Sequence, residues 1–257
     1  MSQPTAIGDV LKILPASVPS MEAALSRVAG PCSEHPDSMR WDCEPCIHAY
    51  NAAADEQREQ EHEQERLSVL VAAGEACTTR FPRRYLDAAT DRADVLAWVA
   101  QFHADISSAP SLLLLGPTGT GKTYQAYAAI RAATGIAVKT RGGAWRSPRW
   151  IASTYAELTA SLRPRGRDYD TEAVLGNYRQ TELLFIDDLG AAKLTEFTEE
   201  ATYRLINGRY EDMRPSIFTS NLALPELKDA IGDRIASRLA ETCVRVVLEG
   251  PDRRRVR

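Results

Sequence analysis

Short apolar runs alternate with longer amphipathic segments over most of the chain, and this alternation predicts its secondary structure. Runs rich in Leu, Ile and Val are typical of buried strands, whereas apolar residues at helical spacing predict helices. Strands that alternate with helices form a doubly wound parallel sheet with helices on both faces, so we expect an α/β fold. The predicted strands are 112–115, 150–153, 183–187, 216–220 and 244–248, and the predicted helices are 95–102, 121–134, 155–162, 197–210 and one around Arg238.

The first third of the chain has a different pattern. Residues 1–30 predict two short helices, and residues 31–50 predict a compact, turn-rich stretch. Residues 51–74 predict a helix that is polar nearly all round until Leu67, which is typical of a connector between domains. We therefore expect an N-terminal module over residues 1–50, a helical linker over 51–80 and a globular domain over 81–257.

The strand predicted at 112–115 is followed by a glycine-rich phosphate-binding motif. The motif has the form G-x-x-x-x-G-K-[ST] and stands between a strand and a helix, as its chemistry requires. Backbone amides and the helix N-terminus point at phosphate oxygens, the lysine reaches the β- and γ-phosphates, and the Thr hydroxyl can ligate Mg²⁺. The motif comprises Gly116, Pro117, Thr118, Gly119, Thr120, Gly121, Lys122 and Thr123. The sequence therefore predicts a site for a nucleoside triphosphate.

Two further strands end in polar residues that suit this site. The strand 183–187 runs into Asp187 and Asp188, and we expect Asp187 in the Mg²⁺ shell and Asp188 to orient or deprotonate the attacking water. The strand 216–220 precedes Asn221, which can hydrogen-bond the γ-phosphate or the water. Ligands sit at the carboxyl ends of parallel strands, so these residues are expected to meet near the phosphate loop.

Composition and charge limit the class of protein. The chain is 44% hydrophobic and 26% charged, which is ordinary for a soluble globular protein, and its net charge is −4. Residues 1–80 carry 6 Lys/Arg against 13 Asp/Glu, whereas the remainder carries 25 against 22. This asymmetry suits a protein that meets nucleic acid with one part and a protein partner with the other. No apolar run approaches the roughly 18 residues that span a membrane, and no secretion signal is visible, so we expect a cytoplasmic protein without a membrane partner.

A cluster of cysteine and histidine residues lies in the N-terminal part. Cys32, His35, Cys43 and Cys46 offer four ligands with two-residue gaps, which lets each pair converge on one structural Zn²⁺. His48 is a substitute ligand, and Cys77 stands apart. A segment this short lacks a core of its own and benefits from a metal staple. The alternative is that the cysteines are small buried hydrophobes and His35 is a surface residue.

The motifs together resemble the DnaC/DnaI-type helicase loaders and are similar to the IstB transposition ATPases, both of the AAA+ class. The resemblance covers roughly residues 80–257 and includes the run from Gly232 to Leu239. It implies an AAA+ P-loop NTPase without a separate lid domain, with Asn221 as first sensor. It also implies that Arg238 is inserted into the nucleotide site of a neighbouring subunit, with Arg234 one helical turn earlier, so that ATP hydrolysis needs a homo-oligomer. Arg253, Arg254 and Arg255 offer a second sensor arginine.

The resemblance implies a function and partners. The first hypothesis is an ATP-binding and hydrolysing loader that delivers a DnaB-like replicative helicase onto single-stranded DNA, with residues 1–50 docking on the helicase. Two alternatives stay open: an IstB-like ATPase that activates a transposase on target DNA, and a non-catalytic nucleotide-binding adaptor. A GTPase is disfavoured because the sequence has no Asn-Lys-x-Asp motif.

Two basic segments are candidates for DNA contact. Residues 139–150 interleave basic and aromatic side chains, including Arg146, Arg149 and Trp150, which is the mixture that single-strand binders use. The alternative is a surface excursion whose Trp150 packs into the core. A second basic loop carries Arg163, Arg165 and Arg167.

Overall fold

The computed structural model describes residues 44–163, 170–191 and 195–253, with side chains from residue 51 onward. The chain divides into two units, residues 1–66 and 67–257. The helices, in chain order, are α1 Glu44–Arg80, α2 Ala93–Ala104, α3 Lys122–Thr134, α4 Tyr155–Ser161, α5 Thr171–Gln180, α6 Glu196–Glu211, α7 Leu224–Ile231 and α8 Asp233–Thr242. The strands are β1 Ser111–Leu115, β2 Val138–Lys139, β3 Trp145–Arg146, β4 Trp150–Thr154, β5 Leu183–Asp187, β6 Ser216–Ser220 and β7 Cys243–Val247.

The predicted parallel sheet is confirmed. Five strands run in the order β4-β5-β6-β1-β7, and every neighbouring pair is parallel. The order places β6 between β5 and β1, so the ends of three strands that carry candidate site residues are adjacent. A second, two-stranded antiparallel sheet, β2-β3, lies in the segment that is a candidate for DNA contact, with a surface excursion as the alternative.

Alternate residues of each central strand feed two separate cores. Leu112 and Leu114 of β1 pack on one face with α2 and α3, whereas Leu113 and Leu115 pack on the other face with the helices α4 to α8. Successive side chains of a strand point to opposite faces of the sheet, and a parallel sheet covered on both faces needs apolar residues at every position. The uninterrupted Leu run of β1 is therefore a consequence of burial on both sides.

Helix α1 is longer than the sequence predicted. It begins at Glu44, so the prediction of a turn-rich stretch is wrong for residues 44–50, and Pro45 fits because the first helical turn needs no intrahelical N–H partner. Between residues 51 and 66 the polar helix carries short-range pairs, such as Arg58 with Asp55 at 2.7 Å and Arg66 with Glu63 at 2.9 Å. Pairs three residues apart stabilise a helix without an apolar stripe. The helix ends at Arg80, one turn after Cys77, which is buried in the core of the second unit.

Two helices were missed by the sequence analysis. Helix α5 begins at the N-cap Asp170, whose carboxylate accepts a hydrogen bond from the Ala173 amide at 2.9 Å. Helix α7 is fixed by the Glu226 carboxylate, which accepts from the Ala223 amide at 3.0 Å. Both helices are short, and each carries only one or two fully buried residues, so their periodicity gives little signal.

Candidate nucleotide site

The phosphate loop, residues 116–121, joins β1 to α3 and is packed under the chain that follows β7. The amide of Leu248 donates to the Leu115 carbonyl at 2.7 Å, and the amide of Arg253 donates to the Gly119 carbonyl at 3.0 Å. Gly119 has a φ of +87°, and a Cβ there would overlap the Asp252 carboxylate. Glycine at this position therefore serves both the turn of the loop and the close approach of a second segment.

Lys122, the first residue of α3, folds its side chain back over this loop. Its Nζ donates to the carbonyls of Gly116 and Pro117, each at 2.8 Å, and the residue is only 5% exposed. The ammonium group is therefore held by the carbonyls of the loop. The backbone amides of such a loop are the groups that bind phosphate oxygens. The structure thus puts the lysine charge at the loop, as the motif predicts.

Asp187 brings the end of β5 to the same place. Its Oδ1 accepts a hydrogen bond from the Thr123 hydroxyl at 3.0 Å. Burial raises the pKa of the Asp187 carboxyl, and the charge of Asp188 adds to the rise, while hydrogen bonds from the hydroxyls of Thr219 and Thr123 oppose it. A half-buried carboxylate beside a threonine hydroxyl is a set of hard oxygen donors, which fits Mg²⁺.

Asp188 follows Asp187 directly and has an unusual backbone conformation. Its φ of +55° is in the left-handed region, which aspartate tolerates better than most residues. Its Oδ1 accepts a hydrogen bond from Asn221 Nδ2 at 2.9 Å. The structure therefore brings Asp188 and Asn221 together at the carboxyl ends of β5 and β6.

Thr219 was not singled out by the sequence analysis. It is fully buried at the end of β6, and its hydroxyl donates to Asp187 Oδ1 while it accepts from the Asp188 amide. The available signal was a threonine that follows the apolar pair Ile217-Phe218 and stands directly before the Ser-Asn pair.

A cavity of about 410 Å³ lies beside the phosphate loop. That volume is within the range of small-molecule sites. Its walls include the loop and its lysine, Thr123, Asp188 and Asn221, and also Arg84, Tyr85, Asp87, Tyr124 and Arg253. Another cleft, of about 470 Å³, lies at the amino ends of β1 and β6, away from the phosphate loop, and brings none of the motif residues together.

The segment 84–89, which the sequence analysis did not connect with the site, is fixed along this cavity by α3. The Tyr124 hydroxyl donates to the Asp87 carbonyl at 3.0 Å and accepts from the Ala89 amide at 3.3 Å. Two turns further along α3, Arg131 donates to the carbonyls of Leu86 and Ala88. Helix α3, which begins at the phosphate loop, therefore also holds the part of the cavity wall that segment 84–89 contributes.

The sequence model of the IstB-like ATP-binding proteins matches residues 17–254 of the chain. The chain belongs to this family. No curated protein matches it.

Solved structures share the fold of this IstB-like chain. The DnaC helicase loader is 22% identical with a TM-score of 0.53, and the match covers 65% of this chain and all of that one. DnaI is 21% identical with a TM-score of 0.52, over 68% of this chain and 94% of that one. The replication initiator DnaA bound to AMPPCP and single-stranded DNA is 21% identical with a TM-score of 0.53, over 67% and 52%. At these identities the likeness shows a common α/β fold.

Arg238 of the IstB-like chain lies outside this group of residues. On α8, its guanidinium stacks over the Tyr210 ring at 4.1 Å, and it pairs with Glu241 at 3.6 Å. Arg234 stacks in the same way over Tyr203 at 3.8 Å. Within the described residues the structure therefore holds both arginines on the surface of α6 and α8.

The basic segment before β4 follows the alternative interpretation in one respect, because Trp150 packs into the core, and its Arg146 has a partner that the sequence did not indicate. Arg146 makes two hydrogen bonds to the Glu182 carboxylate, at 2.6 and 2.7 Å, and the Arg149 amide donates to the same carboxylate. Trp150 is buried, with the Arg80 guanidinium 3.8 Å above its ring. The Arg149 side chain remains exposed.

Several sequence predictions fall on residues that the structure does not describe. These are the zinc ligands Cys32, His35 and Cys43 and the arginines 165, 167, 254 and 255. Cys46 lies in α1, in the part whose side chains are not described. Among the residues that are described, no group of three or more His, Cys, Asp and Glu is placed to hold a metal ion. No helix in that part of the chain is long and apolar enough to cross a membrane.

Proposed function

We propose that this IstB-like chain binds ATP with Mg²⁺ in the cavity at the carboxyl end of the sheet and hydrolyses ATP to ADP and phosphate. The hydrogen bond between Thr123 and Asp187 carries the proposal most directly, because it joins residues 64 positions apart that the nucleotide chemistry requires together. The family match supports the ATP-binding half of the proposal.

The residues of the phosphate loop would hold the triphosphate. The amides of the loop and of the α3 N-terminus attract phosphate oxygens, and Lys122 exchanges its loop carbonyls for the β- and γ-phosphates. Segment 84–87 lines the same cavity and would contact the base and ribose of the nucleotide.

Thr123 and Asp187 would hold Mg²⁺, since a hydroxyl and a carboxylate oxygen are hard ligands that already lie 3.0 Å apart. Mg²⁺ held there would supply positive charge to neutralise the β- and γ-phosphates. Asp188 orients the attacking water and accepts its proton, while its contact with Asn221 fixes the carboxylate. The water oxygen bonds to the γ-phosphorus as the bond to the ADP oxygen breaks.

We propose that Arg238 completes the site of a neighbouring copy in a homo-oligomer. Its place on α8, 34% exposed and away from its own cavity, supports action in trans. A guanidinium supplied from outside stabilises charge on the transferring phosphoryl group. Stacking on Tyr210 keeps the planar group ordered while its N–H edge stays available.

The biological role that we propose is delivery of a replicative helicase onto single-stranded DNA, under control of the bound nucleotide. The shared fold with DnaC and DnaI and the acidic front part, 6 basic against 13 acidic residues over 1–80, support a protein-docking role for the N-terminal module. We also propose a structural Zn²⁺ on Cys32, His35, Cys43 and Cys46 in that module. The family match favours one second candidate, the activation of a transposase on target DNA.

Capture of a purified DnaB-type helicase by the immobilised full-length chain tests this role. We expect the helicase to be retained with ATP and to be released with ADP, and we expect a Lys122→Ala variant to lose the difference. Retention of an IstB-associated transposase with no retention of helicase would overturn the loader role in favour of the second candidate.

A further inference from the structure

Two residues at the end of β6 make hydrogen bonds to the turn that follows β5. The Thr219 hydroxyl donates to Asp187 Oδ1 at 2.5 Å and accepts from the Asp188 amide at 2.9 Å. The Thr219 carbonyl accepts from the Leu189 amide at 2.8 Å, and the Ser220 hydroxyl donates to the Leu189 carbonyl at 2.8 Å. A single side chain, that of Thr219, therefore contacts both acidic residues of the site.

The two contacts of Thr219 fix different properties of the acids. Its O–H holds the orientation of the Asp187 carboxylate together with Thr123, whose hydroxyl donates to the same oxygen. Its lone pair holds the backbone of Asp188 at the left-handed turn that aims the Asp188 carboxylate at Asn221. Valine has the same shape and can do neither, whereas serine can do both.

From this geometry we infer that Thr219 is a positioning residue that sets the metal affinity of the Asp187 site and fixes the backbone of Asp188 beside it. The inference rests on the proposed nucleotide function. Residues that hydrogen-bond a metal-ligating carboxylate orient it, and their loss typically costs about 10–100-fold in metal affinity or activity. Thr219 itself would touch neither nucleotide nor metal, because it is fully buried and does not line the cavity.

The variants Thr219→Val and Thr219→Ser separate the hydroxyl from the shape of the residue. For Thr219→Val we expect a rise of about 10-fold or more in the Mg²⁺ concentration that gives half of the Mg²⁺-dependent binding of a fluorescent ATP analogue. Binding of Mn²⁺, measured by electron paramagnetic resonance, should weaken by a similar factor. Affinity for the same nucleotide in EDTA should stay within about threefold, since the loop and Lys122 are untouched. Thr219→Ser should restore the Mg²⁺ dependence.

Thr202→Val is the matched control. Thr202 is another buried threonine, whose hydroxyl donates to the Thr198 carbonyl at 2.6 Å and contacts the Tyr155 hydroxyl at 3.0 Å, away from the acids. Its removal should lower the melting temperature without moving the Mg²⁺ dependence. All titrations are run below the lowest melting temperature of the set, so that a folding defect does not mimic the effect.

Three results would overturn the inference: a normal Mg²⁺ dependence in Thr219→Val, an equal loss in Thr219→Ser, or an equal loss of affinity in EDTA. Each leaves the proposed nucleotide function standing, because that function fails on a different observation, namely undisturbed ATP binding when Lys122 is replaced.

Discussion

An Arg238→Ala variant is expected to hydrolyse ATP about 10³-fold more slowly than the unaltered chain while it binds ATP with nearly unchanged affinity. An arginine supplied in trans is worth about 10³–10⁵ in rate because it stabilises charge that develops only in the transition state. Its side chain in the described structure contacts Tyr210 and Glu241 rather than its own cavity, so its loss should leave nucleotide binding intact. Steady-state phosphate release and equilibrium binding, measured on the same samples, check the two halves.

Mixing variants provides the sharpest control for Arg238. An Arg238→Ala subunit keeps an intact cavity, and a Lys122→Ala subunit keeps its arginine, so a mixture should recover part of the activity that each lacks. Arg234→Ala is the matched surface control, because Arg234 makes the same kind of contact with a tyrosine of α6. Full activity of Arg238→Ala, or no recovery on mixing, contradicts action in trans.

An Arg209→Ala variant is expected to lose about 3 kcal/mol or more of the free energy of unfolding, because each buried acceptor that is left without its donor costs about 1–3 kcal/mol. Arg209 is 2% exposed, and its guanidinium donates to the Ser216 hydroxyl. The same group donates to the carbonyls of Tyr178, Arg179, Thr181 and Pro215. Burial lowers the pKa of Arg209 to about 9, so the group is still charged at pH 7. Its removal leaves several buried acceptors without donors.

Arg204→Ala is the matched control for Arg209, because Arg204 lies on the same helix in an exposed pair with Glu172 at 2.6 Å. Exposed pairs contribute about 0–1 kcal/mol. Urea unfolding followed by circular dichroism gives both values. A loss under about 1 kcal/mol in Arg209→Ala would show that the joint between α5, α6 and β6 does not depend on this guanidinium.

The sheet and the phosphate site were predictable because their signals are local. The Leu run before the glycine-rich loop and the apolar run that ends in two aspartates each indicate a buried strand and a binding function. Each of these signals lies within a few residues of the sequence. The comparisons confirm the family and the parallel α/β fold. The roles of the individual site residues stay predictions.

The features that the sequence analysis missed depend on contacts between distant segments. Thr219 matters because β6 pairs with β5, and segment 84–89 because Tyr124 and Arg131 of α3 hold it. Arg146 lies in a segment whose composition is typical of a DNA contact. In the structure its guanidinium makes a bidentate pair with the carboxylate of Glu182, 36 residues away. Such partners follow from the packing of distant segments rather than from spacing along the chain, and no local pattern of the sequence reveals them.

The most direct test of the account is calorimetric titration of ATP into the purified chain and into Lys122→Ala. Because Lys122 supplies the charge at the phosphate loop, we expect its loss to weaken ATP binding about 100-fold or more, equivalent to about 2.7 kcal/mol. Lys228→Ala is the control, since Lys228 is an exposed lysine paired with Asp233, and it should bind as the unaltered chain does. ATP affinity in Lys122→Ala within about threefold of the unaltered value, or no ATP binding by the unaltered chain, would contradict the account.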